Sequence, residues 1–228
     1  MSSSATTLPT AAIEFLARGL HADPFSVLGP HDTQHEGESG LSIRAFRPHA
    51  ASIAIRSRPD GRLIPMTQLH PEGVFEAFLP GARRETFDYR LQMTWPDSPE
   101  TELDDPYRYG PVLTEFDRHL FAEGTHVRAF DRLGARPMVH GVRPGVHFAV
   151  WAPNARRVSV VGDFNRWDGR VHAMRSLTPS GLWEIFLPDL GAGDRYKFEL
   201  VTARHQVVLK ADPCGRYFET PPLTASIV

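Results

Sequence analysis

The chain has 228 residues, 41% hydrophobic and 23% charged, a globular composition with room for one or two domains. Its 25 basic and 27 acidic residues leave a net charge of −2 with no basic cluster, which argues against nucleic acid and anionic membranes as partners. The single cysteine, Cys214, excludes an internal disulfide, and no run approaches the roughly 18 apolar residues of a membrane-spanning helix, so a cytoplasmic protein is expected.

The N-terminal MSSSATTLPT lacks the basic and apolar regions of a signal peptide. Ile13, Leu16, Ala17 and Leu20 then share one helical face. LSIRAFRPHAASIAI (41–55) reads as strand, followed by a turn at Pro59-Asp60-Gly61, and GVFEAFLP (73–80) and YRL (89–91) as further strands. Leu113, Phe116 and Leu120 lie on one helical face, and the chain turns helical again over Val127 to Leu133. That stretch reads as a connector, with a boundary near residue 111.

Beyond it the pattern starts again. VHFAVWAPNARRVSV (146–160) lies over 41–55, GLWEIFLP (181–188) over GVFEAFLP, FEL (198–200) over YRL, and Asp212-Pro213 over Asp105-Pro106. One order of matched segments indicates a duplicated domain. Short alternating strands with turn signals about every ten residues suggest antiparallel sandwiches. The expected fold is therefore mainly β: two tandem immunoglobulin-like antiparallel β-sandwiches, each preceded by a short helical segment, over residues 1–111 and 112–228.

A search for chemistry finds none. The eleven histidines are scattered, with no H-E-x-x-H and no Cys/His ligand spacing, so no metal site is expected. There is no G-x-S-x-G elbow. Gly191-Ala192-Gly193 reads as a hairpin turn, Cys214 as an unactivated thiol, and Asp104-Asp105 as a strand end. No catalytic residue and no cofactor are assigned.

The stretch VVGDFNRWDG (160–169) is different. A tryptophan in a polar turn is either a core plug or a stacking platform for the C–H face of a sugar ring. Asp163, Asn165 and Asp168 stand where a sugar's hydroxyls would need partners. Lys197, between Tyr196 and Phe198, faces away from them, either into solvent or towards a ligand beside Trp167. Phe164, Trp151 and Trp183 read as core.

FAVWAPNARRVSVVGDFNRWDG (148–169), GLWEIFLP and YKFEL (196–200) resemble the family forty-eight carbohydrate-binding module of α-amylase-superfamily enzymes. DPFSVLGPH (23–31), IRAFRP (43–48), DDPYRYGP (104–111) and FAEGTH (121–126) narrow the resemblance to the glycogen branching enzyme family. It covers nearly the whole chain. It implies the non-catalytic N-terminal region of an enzyme that moves α-1,4-glucan segments to α-1,6 branch points, with the catalytic barrel outside these residues as its partner. It also implies an α-1,4-glucan or glycogen contact at Trp167, which would stack on glucose, and at Lys197, which would hydrogen-bond the sugar, with Asn165 beside them. The second aromatic that relatives carry in the next turn is missing from TARHQ (202–206), and the first copy has no such turn at 57–66. A free-standing glycogen-binding module and a purely structural sandwich pair are the alternatives.

Overall fold

The computed structural model describes residues 6–228 and divides into two compact units, Met1–Arg108 and Tyr109–Val228. In the first, α1 (Thr10–Ala17) precedes β1 (Gly29–His35), β2 (Glu38–Phe46), β3 (Ser52–Ser57), β4 (Leu63–Pro65), β5 (Thr67–His70), β6 (Val74–Pro80), β7 (Tyr89–Thr94) and β8 (Thr101–Leu103). One sheet runs β1-β2-β6-β5 and the other β4-β3-β7-β8. Leu41, Ile43, Ala45, Phe75 and Leu79 of the first meet Ile53, Ile55, Tyr89, Leu91 and Met93 of the second in one buried cluster. This is the alternation that the sequence shows, folded into a sandwich.

In the second unit, α2 (Glu115–Glu123) precedes β9 (Gly134–His140), β10 (Arg143–Trp151), β11 (Ala155–Gly162), β12 (Arg175–Leu177), β13 (Leu182–Pro188), β14 (Arg195–Thr202), β15 (Val207–Lys210), β16 (Tyr217–Phe218) and β17 (Ser226–Ile227). The sheets run β12-β13-β10-β9 and β11-β14-β17-β16, with β15 also on β14. Phe148 meets Tyr196 edge to face across the core, with ring centroids 5.0 Å apart.

Both units bury both faces of one sheet. In β2, Ser42, Arg44 and Phe46 point away from the sandwich core yet are buried too. Phe46 and Val74 are covered by Ile13, Leu16 and Ala17 of α1, with Val27, Leu28 and Tyr107. At the centre of this layer lies the Glu76 carboxylate. It accepts hydrogen bonds from Arg44 Nε (2.8 Å), Ser42 Oγ (2.6 Å), Thr6 Oγ1 (2.6 Å) and the Thr7 backbone N–H (3.1 Å), and a further one from the Thr7 hydroxyl. In the second unit Glu184, at the matching position, accepts from the backbone N–H groups of Val112 (3.1 Å) and Leu113 (2.9 Å), with His147 Nε2 at 2.9 Å and Arg175 at 3.7 Å. In both copies a buried glutamate holds down the segment that leads into the sandwich.

A second device is also duplicated. The Tyr89 hydroxyl donates to Asp105 (2.7 Å), which also accepts from the Tyr107 N–H (3.0 Å). The Tyr196 hydroxyl donates to Asp212 (2.6 Å), which accepts from the Cys214 N–H (2.7 Å). The aspartates of the two Asp-Pro pairs are thus buried clasps. Gly29 packs against the first clasp at φ +87°, where a Cβ would lie 2.7 Å from the Tyr107 carbonyl oxygen.

The helical expectations need correction. Leu20 lies beyond α1 and is exposed, because the helix ends at Ala17. Leu113 is buried but precedes the N-cap Thr114, and Phe116 is 68% exposed. The buried residue of α2 is Asp117, whose carboxylate accepts from the Thr114 N–H (3.0 Å) and hydroxyl (2.7 Å) and pairs with Arg132 (3.0 Å). A capping network anchors this helix more than an apolar stripe does. The second helical piece is a single 3-10 turn, Ala129–Asp131. Trp151, read as core, is 54% exposed, with Nε1 donating to the Ser180 carbonyl (3.1 Å). Its counterpart Phe46 is roofed by α1, whereas the apolar cluster beside α2 gathers on Ala149, Leu177 and Leu182 and leaves Trp151 at the rim. Trp183 is buried as expected.

Burial pushes the Glu76 carboxyl up, but the donors Ser42, Thr6, Thr7 and Arg44 outweigh it and hold the group at about 2. A depressed acid contributes stability that is present above its ordinary value of 4.5 and is lost as pH falls towards 2. Glu76→Ala leaves Arg44 buried without its partner and is expected to cost the first unit about 3–5 kcal/mol at pH 7. Glu76→Gln is expected to flatten the acid-limb slope between pH 4.5 and 2 relative to the parent. Denaturant unfolding across that range checks both.

Candidate functional site

The GDFN turn grows out of a sheet edge. β11 pairs with β14 so that Val161 lies opposite Lys197 and Gly162 opposite Tyr196. Tyr196 and Phe198 point into the core, so Arg195, Lys197 and Glu199 lie on the outer face. Gly162 is needed at the exit, since a Cβ there would sit 2.2 Å from the Arg195 carbonyl oxygen. A 3-10 turn, Asp163–Asn165, follows.

Asn165 holds this turn. It is 8% exposed; its Oδ1 accepts from the Gly162 N–H (2.9 Å), and its Nδ2 donates to the Val160 carbonyl (2.8 Å) and lies 3.1 Å from His172 Nδ1. Its amide faces inward, where it holds the turn rather than standing beside the indole at the surface. Phe164, expected in the core, is half-buried against the His172 ring.

The chain then takes an unusual path. Arg166 and Trp167 both adopt left-handed backbone, at φ +55° and +60°. For a residue as bulky as tryptophan this conformation costs on the order of 1–3 kcal/mol and persists only when its surroundings enforce it. Here the Trp167 N–H donates to the Gly162 carbonyl (2.9 Å), and the indole Nε1 donates to Asp163 Oδ1 (3.0 Å). The result is a half-buried indole tethered by its edge, not plugged into the core.

Around it runs a chain of charges. Asp163 Oδ2 accepts from Arg195 (2.9 Å at Nε), whose Nη1 donates to Glu219 Oε1 (3.1 Å). Glu219 Oε2 accepts from the Ala225 N–H (2.9 Å). The Trp167 indole N–H, and after it Arg195, hold the Asp163 carboxyl below its ordinary value. The Lys197 ammonium, half-exposed, donates to Thr224 Oγ1 (2.7 Å). Asp168, the third polar candidate, is engaged by Arg170 (2.9 Å).

The outer face therefore gathers Trp167, Asp163, Arg195, Lys197, Glu219 and Thr224. Sequence reasoning missed Arg195, Glu219 and Thr224, the last two lying 22 and 27 residues beyond Lys197. Chemically the group offers an aromatic edge held rigid, an ammonium, a hydroxyl and carboxylates, which suits neutral polyhydroxylated ligands. It offers no pair of acid and base free to act on a substrate. Among the described residues no cluster of three or more His, Cys, Asp or Glu side chains could hold a metal.

Residues 9–107 match the family described as alpha-1,4-glucan branching enzyme GlgB, N-terminal domain, and residues 132–215 match Carbohydrate-binding module 48 (Isoamylase N-terminal domain). The 1,4-alpha-glucan branching enzyme GlgB of Paramagnetospirillum magneticum is 47% identical over 229 residues, covering 100% of this chain and 30% of its own length. That of Pseudomonas putida is 49% identical over 218 residues, covering 95% of this chain and 28% of its own. The chain thus spans about 30% of the length of these curated relatives. A pullulanase from Anoxybacillus sp. LM18-11 aligns over 88% of this chain and 27% of its own at 15% identity, with a TM-score of 0.36.

Asn165→Ala removes a buried acceptor and two donor contacts, and is expected to destabilise the second unit by about 1–3 kcal/mol. It should also release Trp167, read as a red shift of indole emission that Trp167→Phe abolishes. Urea unfolding followed by fluorescence measures both.

Proposed function

We propose that this chain, whose residues 9–107 match the N-terminal domain of the α-1,4-glucan branching enzyme family and whose residues 132–215 match a family 48 carbohydrate-binding module, serves as the non-catalytic N-terminal region of a glycogen branching enzyme. In this reading a catalytic barrel supplied by further sequence carries out the transfer of α-1,4 segments to α-1,6 branches. The first sandwich is scaffold. The second binds α-glucan on its outer face, with Trp167 stacking on a glucose ring and Lys197 and Thr224 hydrogen-bonding its hydroxyls.

One observation carries the sugar-binding part. Trp167 is held in strained left-handed backbone with its indole tethered by Asp163 at the surface. A tryptophan serving as core filler would need neither the strain nor the tether. Stacking on such a ring contributes about 0.5–1.5 kcal/mol, so one platform gives weak binding. The first unit supports no second site of this kind, because β3 is followed by a short turn over residues 58–62 with no aromatic.

Affinity electrophoresis in gels with and without glycogen tests the reading. Glycogen is expected to retard the parent chain, Trp167→Ala to run free, and Lys197→Ala to lie between them. If the parent is not retarded, Trp167 is packing and the chain is scaffold alone. Iodine-monitored branching assays on the purified 228-residue chain are expected to show no activity; sustained branching would place catalysis within these residues.

A further inference from the structure

The polar strip beside Trp167 leads to an aromatic that nothing in the site yet uses. β14, β17 and β16 are neighbours in one sheet, and their register sets Arg195 opposite Ile227 and Ile227 opposite Tyr217. Residues directly opposite each other in antiparallel strands share a face, so Tyr217 lies on the outer face with Arg195 and Lys197. The charges agree: Glu219, two residues on and so on the same side, places its carboxylate 3.1 Å from Arg195 Nη1. Tyr217 is 74% exposed. The face therefore reads, from one end to the other, indole, Asp163–Arg195–Glu219 ion chain, phenol.

We propose that the glucan site continues from Trp167 across Arg195 to Tyr217, a second aromatic platform, so that its ligand is an α-glucan stretch several rings long. The inference rests on the reading of this module as glucan-binding and extends it in ligand length. Tyr217 stands two strand spacings from Arg195, about 10 Å, a span that a few linked pyranose rings bridge and a single ring does not. Between the rings, the guanidinium and carboxylates are fixed by one another, so they offer hydroxyl partners without having to be ordered on binding. The occupant fits the strip's composition: alternating apolar faces and hydroxyl-bonding groups are what a glucan presents, while an apolar protein partner would meet a row of charges.

Isothermal titration of the full chain with maltotriose and maltoheptaose tests this, with Trp167→Ala, Tyr217→Ala and Tyr217→Phe. Trp167→Ala is expected to weaken both sugars. Tyr217→Ala is expected to weaken maltoheptaose about three- to tenfold while leaving maltotriose within about twofold, and Tyr217→Phe to keep the ring and the affinity. If Trp167→Ala weakens both sugars and Tyr217→Ala neither, the strip ends at Trp167 and the extension falls while the glucan reading stands. If the parent binds neither sugar, both fall. If Tyr217→Ala changes only the sedimentation coefficient, the ring is a protein contact and the proposal is overturned.

Discussion

A carboxylate buried in the middle of a sheet demands donors from every side, and each sandwich of this chain is organised around one. Glu76 and Glu184 occupy equivalent positions on β6 and β13, on the face turned away from the sandwich core. An exposed face there would let water solvate them. Instead the incoming segment covers them and supplies its own donors: Thr6 and Thr7 in one copy, the backbone of Val112 and Leu113 in the other. Leaving such a charge unpaired costs several kcal/mol, so the segment and the sheet are ordered together. This explains why β2 and β10 are buried on both faces although only one face meets the opposite sheet. A third layer has been added, and its keystone is polar.

The duplicated frame fixes what can vary. The tyrosine–aspartate clasps and the positive-φ glycines Gly29 and Gly134 recur in both copies, so the sheets close in the same way. Variation falls on the connection after β3 and β11. In the first copy a five-residue turn suffices. In the second, the chain makes a longer excursion, bridging back through Ala173 to Ser159, and carries Trp167 at its tip. The site is thus a longer form of the connection that leaves β3 in the first copy, held by Asn165 below and by Asp163 and Arg195 beside it. Such placement lets the loop hold backbone strain that the rest of the sandwich can tolerate.

Much of this was legible in the amino-acid order. The repeat, the strand alternation and the separation of Lys197 from the core follow from periodicity, which is local. The direction of Asn165 was not legible, because its type suits a turn clasp and a sugar contact equally, and only the buried carbonyl of Val160 decides between them. Trp151 was not legible because its exposure depends on what covers the sheet: α1 roofs its counterpart Phe46, and the cluster beside α2 gathers elsewhere. Phe116 was misjudged because α2 is anchored through Asp117 and its cap, an arrangement that hydrophobic periodicity cannot register. Thr224 and Glu219 reach Lys197 and Arg195 through side-chain hydrogen bonds across more than twenty residues, which no local pattern encodes.

The shape of the site bears on the kind of ligand it can take. A closed pocket would read a chain end, because its walls would clash with the continuing polymer. The proposed strip on β14, β17 and β16 is a sheet face rather than a pocket, so a glucan bound there would cross it and continue in both directions. Each contact is weak, since one aromatic face contributes on the order of 1 kcal/mol. A branched polymer, however, presents many equivalent stretches to any module that has already bound one, and the effective concentration of the next is high. On the proposed reading, a weak, open, mid-chain grip would keep the protein on the polymer while letting it move along. A tight pocket would lose that mobility.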